Sequence, residues 1–222
     1  MRNLLLLAVA LCAFSGFALA HDAENPHPIG VPSHADMGLM GDRDDPIFES
    51  FEGAFPPDGW SIMTTGITYT WEQTDAMANS GMYSAFVAYG STGEFQDEWL
   101  VLPAMDFSAG VAPMFEFYEA AVWWDGYGVE HQICVSTTVA DDPGAFVVVA
   151  SYLPGDHVIQ ETFGGPPETV DLSAFVGEST VYVAIRYIGE YADDWYVDDV
   201  RIYDDVVATD EATWTSVKDL YR

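Results

Sequence analysis

The sequence predicts an all-β fold, an antiparallel β-sandwich of the jelly-roll type followed by a short C-terminal helix. Three observations carry this. From residue 47 onward, short runs rich in Val, Ile, Phe, Tyr, Trp and Thr are broken by clusters of Gly, Pro, Asp and Ser. Several runs alternate with period two. In VYVAIRYI, Val181, Val183, Ile185 and Tyr187 share one face, and Tyr182, Ala184 and Arg186 share the other. No long amphipathic helix interrupts the runs. Many short strands without helices bury their apolar faces by packing sheet on sheet.

Residues 1–20 carry Arg2, an apolar run over 4–13 and a terminal Ala18-Leu19-Ala20. This is the pattern of a signal peptide with a small-x-small cleavage site, and the run is too short to span a membrane. Leu11 precedes Cys12 where a lipoprotein signal would want a small residue, so cleavage after Ala20 is expected rather than lipid anchoring. Residues 21–46 are rich in Pro, Gly, His, Met and Asp without periodicity and predict a disordered linker. His21 at a new N-terminus could chelate copper, but that needs a rigidly placed second His.

The domain is expected over residues 47–205. Its candidate strands are 47–52, 60–63, 69–73, 83–89, 98–102, 114–123, 130–137, 146–153, 169–172, 180–188 and 195–203. Turn signals such as Pro56-Pro57-Asp58-Gly59 and Asp141-Asp142-Pro143-Gly144 fall between them. Residues 206–222 read as a tether and a short amphipathic helix with Trp214, Val217 and Tyr221 at helical spacing. The tail either packs on the sandwich or serves as a tag for export or attachment.

The chain has 36 acidic residues against 6 Lys and Arg, a net charge of −30. Such a field repels nucleic acid and anionic membrane surfaces, and no basic patch opposes it. The acidity suits a salty exterior, where counterions screen self-repulsion, and is compatible with divalent-cation binding. Beyond the leader the sole cysteine is Cys134, set among apolar neighbours, which predicts a buried, inert thiol and no internal disulfide.

Six segments carry a family resemblance. Phe51-Glu52-Gly53 precedes Pro56, Pro57, Gly59 and Trp60. Asn79 to Ala85 reads NSGMYSA. Asp97-Glu98-Trp99-Leu100-Val101-Leu102-Pro103 leads to Asp106. Val135-Ser136-Thr137-Thr138, Val170 to Phe175 and Asp198-Asp199-Val200 then come in order. Over residues 48–205 this resembles the cleaved-adhesin domains, the jelly-roll modules of gingipain-type proteases and of bacterial surface proteins; the related MAM modules share the plan. The resemblance implies a galactose-binding/MAM-like sandwich, secreted or held at the cell surface. Such a module binds glycan or extracellular protein and is commonly stabilised by Ca²⁺.

Calcium takes 6–8 hard oxygen ligands. Pairing the first and last strands would place Glu52 near Asp198. Asp198 shares a strand face with Val200 and Ile202, which would point it inward, and an inward carboxylate is costly unless paired or metal-bound. Glu52 and Asp198 are the expected ligands, with Asp97 and Asp199 as further candidates. The competing reading has Asp198 or Asp199 accepting backbone N–H bonds and Glu52 paired with Arg186 or Arg201.

A second candidate is the loop of Trp123, Trp124, Asp125 and Tyr127, whose rings could stack on sugars while Asp125 accepts from hydroxyls. The competing reading makes one Trp core and the other a cover on the rim. Catalytic motifs are missing from the sequence. Glu116 and Glu119 are three apart and do not form an acid/base pair on one strand face. His131 and His157 have no Cys or His at metal spacing, and neither a Gly-x-Ser-x-Gly elbow nor His-Glu-x-x-His occurs. A non-enzymatic, adhesin-like binding module is the expectation, with a carbohydrate-binding module using Trp123, Trp124 and Tyr127 as the alternative within binding. A structural or assembly component is the second reading, and a divergent glycosidase or peptidase the third.

Overall fold

The computed structural model describes residues 47–91, 93–124 and 129–204. The expected leader and linker, the tether and C-terminal helix, Asp125 and Tyr127 lie outside them. The described residues form two antiparallel sheets. The first has the order β3 (Glu72–Thr74), β4 (Ser84–Val87), β11 (Asp194–Asp204), β6 (Pro113–Val122), β9 (Glu168–Asp171), with β1 (Ile47–Glu49) also paired to β11. The second runs β2 (Ser61–Met63), β5 (Phe95–Val101), β10 (Tyr182–Glu190), β7 (Glu130–Ser136), β8 (Val147–Tyr152). Every run expected from the sequence forms a strand, with ends moved by a few residues.

The main core lies between the sheets. Phe115, Phe117, Trp195, Val197, Val200 and Ile202 of the first sheet join Leu100, Ile133, Val135, Val183, Ile185 and Tyr187 of the second. Each large apolar side chain removed from water there contributes about 1.5–3 kcal/mol. Val183, Ile185 and Tyr187 point inward, as the alternation requires. The opposite face of β10 is not all solvent: Ala184 joins Trp99, Val101 and Cys134 in a smaller cluster, against which Phe146 packs. Cys134 is fully buried, and burial pushes its thiol up to about 12.

Strand β11 organises both candidate sites. On one side it pairs with β6 along nearly its whole length. On the other side β4 takes residues 195–197 and β1 takes residues 200–202. Asp198 and Asp199 fall in the gap between them. The ladder with β6 slips between Asp198 and Arg201, and Asp199 has φ 47°. This is a β-bulge, which inserts an extra residue and inverts the facing of the residues beyond it. Trp195 and Val197 face the core before the bulge, Val200 and Ile202 after it. Asp198 therefore does not share a face with Val200 and Ile202, as a regular strand would have it. It lies on the outer face and is buried there by a loop.

Candidate functional site

Two side-chain constellations stand out, and backbone strain marks both. Among the described residues, four non-glycines have positive φ: Phe51 (57°), Trp123 (70°), Tyr191 (55°) and Asp199 (47°). Such conformations are unfavourable for residues with a Cβ and persist only where the surroundings impose them. Phe51 and Asp199 belong to a carboxylate clamp. Trp123 and Tyr191 belong to an aromatic cleft.

The clamp fills the gap beside β11. The loop over residues 79–83 lies across Asp198, whose Oδ2 accepts from the backbone N–H of Asn79 (2.7 Å) and Ser80 (3.0 Å); its Oδ1 accepts from Asp199 N–H (2.7 Å). Asp199 accepts from Asn79 Nδ2 and Ser80 Oγ, both at 2.7 Å. From the other side Glu52 Oε1 accepts the N–H groups of Met82 and Tyr83, both at 2.8 Å. Gln73 donates to the carbonyls of Phe51 and Gly53, which fixes the turn carrying Glu52. Gly81 suits this close approach: its φ is +63°, which strains any residue with a Cβ, and a Cβ there would displace the Glu52 carboxylate.

The structure thus brings Glu52, Asp198 and Asp199 around one loop. It does not bring Asp97 there. Asp97 sits on β5 in the other sheet, where Arg186 holds it through Nε–Oδ1 (2.6 Å) and Nη2–Oδ2 (2.7 Å). Arg201 is engaged by Glu116 at 2.8 Å. The expected alternative partners of Glu52 are therefore committed elsewhere. The backbone N–H bonds of the competing reading are present, but they do not offset the buried charge. Burial, reinforced by the neighbouring Asp199, raises Asp198 to about 7. Glu52, Asp198 and Asp199 are the carboxylates gathered around the loop, although their oxygens do not all converge within 4.8 Å of one another.

The aromatic cleft lies where β4 and β6 end and β11 begins. Its volume is ≈ 480 Å³, and its walls include Tyr69, Tyr89, Tyr191 and Asp194. A smaller hollow beside it is lined by Tyr89, Trp123, Tyr191 and Ala192. Tyr89 stands at the centre, edge-on to Trp123 (5.4 Å, 81°) and to Tyr191 (5.3 Å, 87°). Trp123 is 52% exposed and Tyr191 42%. Burial raises the Asp194 carboxyl above its ordinary value, although Oδ1 accepts from Tyr89 N–H at 3.3 Å. The walls are held from below by Gln96. This fully buried side chain accepts from Gly90 N–H and donates to the carbonyls of Ala88 (2.8 Å) and Tyr69 (3.3 Å).

The two tryptophans of the predicted loop part company. Trp123 faces the hollow. Trp124 is 8% exposed and lies over buried His131, whose other face stacks on Trp195 at 3.7 Å. Trp124 belongs to the core, as the competing reading had it. Tyr69, Tyr89 and Tyr191 were not singled out from the sequence. They are far apart along the chain, and the signal available was a Tyr or Trp at the end of several runs.

With this geometry established, comparison with known proteins is informative about the fold. No family profile matches the chain, and no curated protein sequence matches it. Among solved structures, the K3 cleaved adhesin domain of Lys-gingipain from Porphyromonas gingivalis W83 superposes with a TM-score of 0.55 at 20% identity, covering 72% of this chain and 99% of that one. The K1 domain of the same protein gives 0.53 at 18%, over 72% and 98%. The chain has the cleaved-adhesin fold. A structure of carbohydrate-binding modules from the β-sandwich superfamily superposes with a TM-score of 0.50 at 14% identity, over 69% of this chain and 60% of that one. At these identities the likeness concerns the fold, and the sites rest on the residues described above.

Proposed function

We propose that this chain is a non-catalytic binding module that recognises glycan through the cleft of Tyr69, Tyr89, Trp123, Tyr191 and Asp194, outside the cell or at its surface. The observation that carries the reading is the pair of exposed rings, Trp123 and Tyr191, held in strained backbone against Tyr89, with the Asp194 carboxylate in the cavity on the Tyr191 side. Fixed aromatic faces offer apolar area to the C–H faces of a sugar at little entropic cost, and Asp194 supplies an acceptor for its hydroxyls. Adhesin and carbohydrate-binding neighbours fit a binding role. An extracellular setting fits the leader pattern and the acidity; no helix among the described residues is long and apolar enough to cross a membrane.

Calcium enters as a structural element of the same proposal. Glu52, Asp198 and Asp199 would hold it, and its binding free energy would add to folding by tying the 79–83 loop to β11. The testing experiment is a glycan array probed with the labelled chain in millimolar Ca²⁺, followed by incubation with every polysaccharide that scores. The reading expects selective, saturable binding without release of reducing ends. Turnover would replace it with the glycosidase reading. Silence on the array, with capture of a surface protein that competes at Trp123, would make the ligand a protein.

A further inference from the structure

Outside these two sites, the most distinctive chemistry gathers at His157. The sequence offers it no Cys or His at ligand spacing, but the fold brings it two glutamates. His157 Nε2 lies 2.7 Å from Glu119 Oε1 and 3.7 Å from Glu168 Oε1. One ligand atom from each of the three side chains lies within 4.8 Å of the others, the only such group among the described residues. The three come from separate elements. Glu119 is on β6 and Glu168 opens β9, both in the first sheet. His157 follows β8 of the second sheet, in a tight turn where its own N–H and that of Asp156 both donate to Leu153 O at 3.1 Å.

Each donor is held from behind. Glu119, with a side chain only 6% exposed, gives its second oxygen to Trp195 Nε1 at 3.0 Å. The carbonyl of His157 accepts from Trp124 Nε1 at 3.0 Å, and its ring packs on Tyr152 at 4.6 Å. Such outer contacts orient ligating groups in metal sites. Glu168 and His157 remain partly accessible, at 27% and 19%, which leaves a route for an ion and room for water. Two carboxylates also outweigh one imidazolium, so the cluster carries excess negative charge whatever the state of the histidine.

We propose that Glu119, His157 and Glu168 form a binding site for a divalent transition-metal ion of the zinc type, distinct from the carboxylate clamp. One imidazole nitrogen and two carboxylate oxygens suit Zn²⁺ better than Ca²⁺ or Mg²⁺, which prefer oxygen alone. Around a tetrahedral ion with bonds of about 2.0–2.2 Å, donor atoms stand roughly 3.3 Å apart. The observed 2.7 and 3.7 Å from the His157 ring nitrogen bracket that spacing, and the two carboxylates lie within 4.8 Å of each other. Water completes the fourth position. The ion replaces a proton between the ring and Glu119 and joins the two sheets near their rim.

The test is calorimetric titration of the EDTA-stripped, purified full-length chain with ZnCl₂, in millimolar CaCl₂ to saturate hard-cation sites. The wild type, Glu168→Gln and His157→Gln are compared, with circular dichroism to confirm that each variant folds. The proposal expects one equivalent of Zn²⁺ whose affinity falls at least about tenfold in either folded variant. It also expects wild-type affinity to fall from pH 7.5 to pH 5.5, as protons compete for the imidazole. Co²⁺ substitution should give the visible absorption of a four-coordinate ion, lost in Glu168→Gln. Zinc binding of equal strength in all three chains would assign the ion to other histidines and overturn the proposal, as would the lack of saturable binding by the wild type.

Discussion

At the scale of single residues, Asp198 is the most consequential side chain. Its carboxyl is buried beside Asp199 and raised to about 7, against an ordinary value of 3.8. A group whose folded value is raised adds stability that is present below the unfolded value and lost as pH rises through the folded one. Without calcium, Asp198 should therefore cost stability progressively between about pH 4 and pH 7. Asp198→Asn removes that titration. Thermal unfolding in EDTA should show the variant gaining on the wild type across this window and holding a constant difference above it. Saturating Ca²⁺ should reverse the order at pH 8, because the ion stabilises the wild type and has lost a ligand in the variant. Parallel pH profiles in EDTA would show that the N–H donors of Asn79, Ser80 and Asp199 already neutralise the charge. Gly81 provides a second check: Gly81→Ala places a methyl against Glu52 at positive φ, and should lower stability by about 1–3 kcal/mol and weaken the calcium response.

At the scale of elements, the strands were legible and their junctions were not. Alternation in VYVAIRYI gave the facing of β10 correctly because that strand is regular and buried between neighbours on both edges. The same logic failed on β11, since Asp199 takes a left-handed conformation and shifts the parity between Val197 and Val200. Nothing in a DDV triplet announces a bulge. Sequence reasoning expected Glu52 near Asp198 from the pairing of the first and last strands; both accept N–H groups of the 79–83 loop, Asp198 from Asn79 and Ser80 and Glu52 from Met82 and Tyr83. It misplaced Asp97, which looked like a loop residue but lies within β5 and finds Arg186 across the ladder. The cleft was half legible. Trp123 was visible as an aromatic at a strand end, whereas Tyr89 and Tyr191 meet it only through the pairing of β4 and β6 with β11. Gln96 joins these elements, and Gln96→Leu should leave the Ala88 and Tyr69 carbonyls and the Gly90 N–H without their partner. Each buried group so orphaned costs about 1–3 kcal/mol. The variant should lose stability and also bind glycan more weakly; if stability falls while affinity is unchanged, Gln96 supports the fold and not the cleft.

At the scale of the whole molecule, charge and fold set the context for binding. With −30 net charges the compact state repels itself, and counterions relieve this. The unfolding midpoint should rise between about 10 mM and 1 M NaCl, as the Debye length shrinks from roughly 30 to 3 Å. A flat response would mean that the acids are spaced too widely to interact. The same field disfavours anionic ligands at the cleft, a penalty that the proposed neutral sugars would not meet. Sandwich folds of this kind host many binding functions, so the function rests on the site and not on the fold.

The rings of Trp123 and Tyr191 are the centre of the proposed glycan-binding surface. The most direct measurement is calorimetric titration of one array-positive oligosaccharide into the wild type, Trp123→Ala and Tyr191→Ala at matched Ca²⁺. Loss of a stacking ring should cost about 1–3 kcal/mol, or roughly 5- to 150-fold in Kd, in each variant, with the unfolding midpoints little changed because both rings are exposed. Wild-type affinity in both variants would contradict this role and move the binding surface elsewhere on the sandwich.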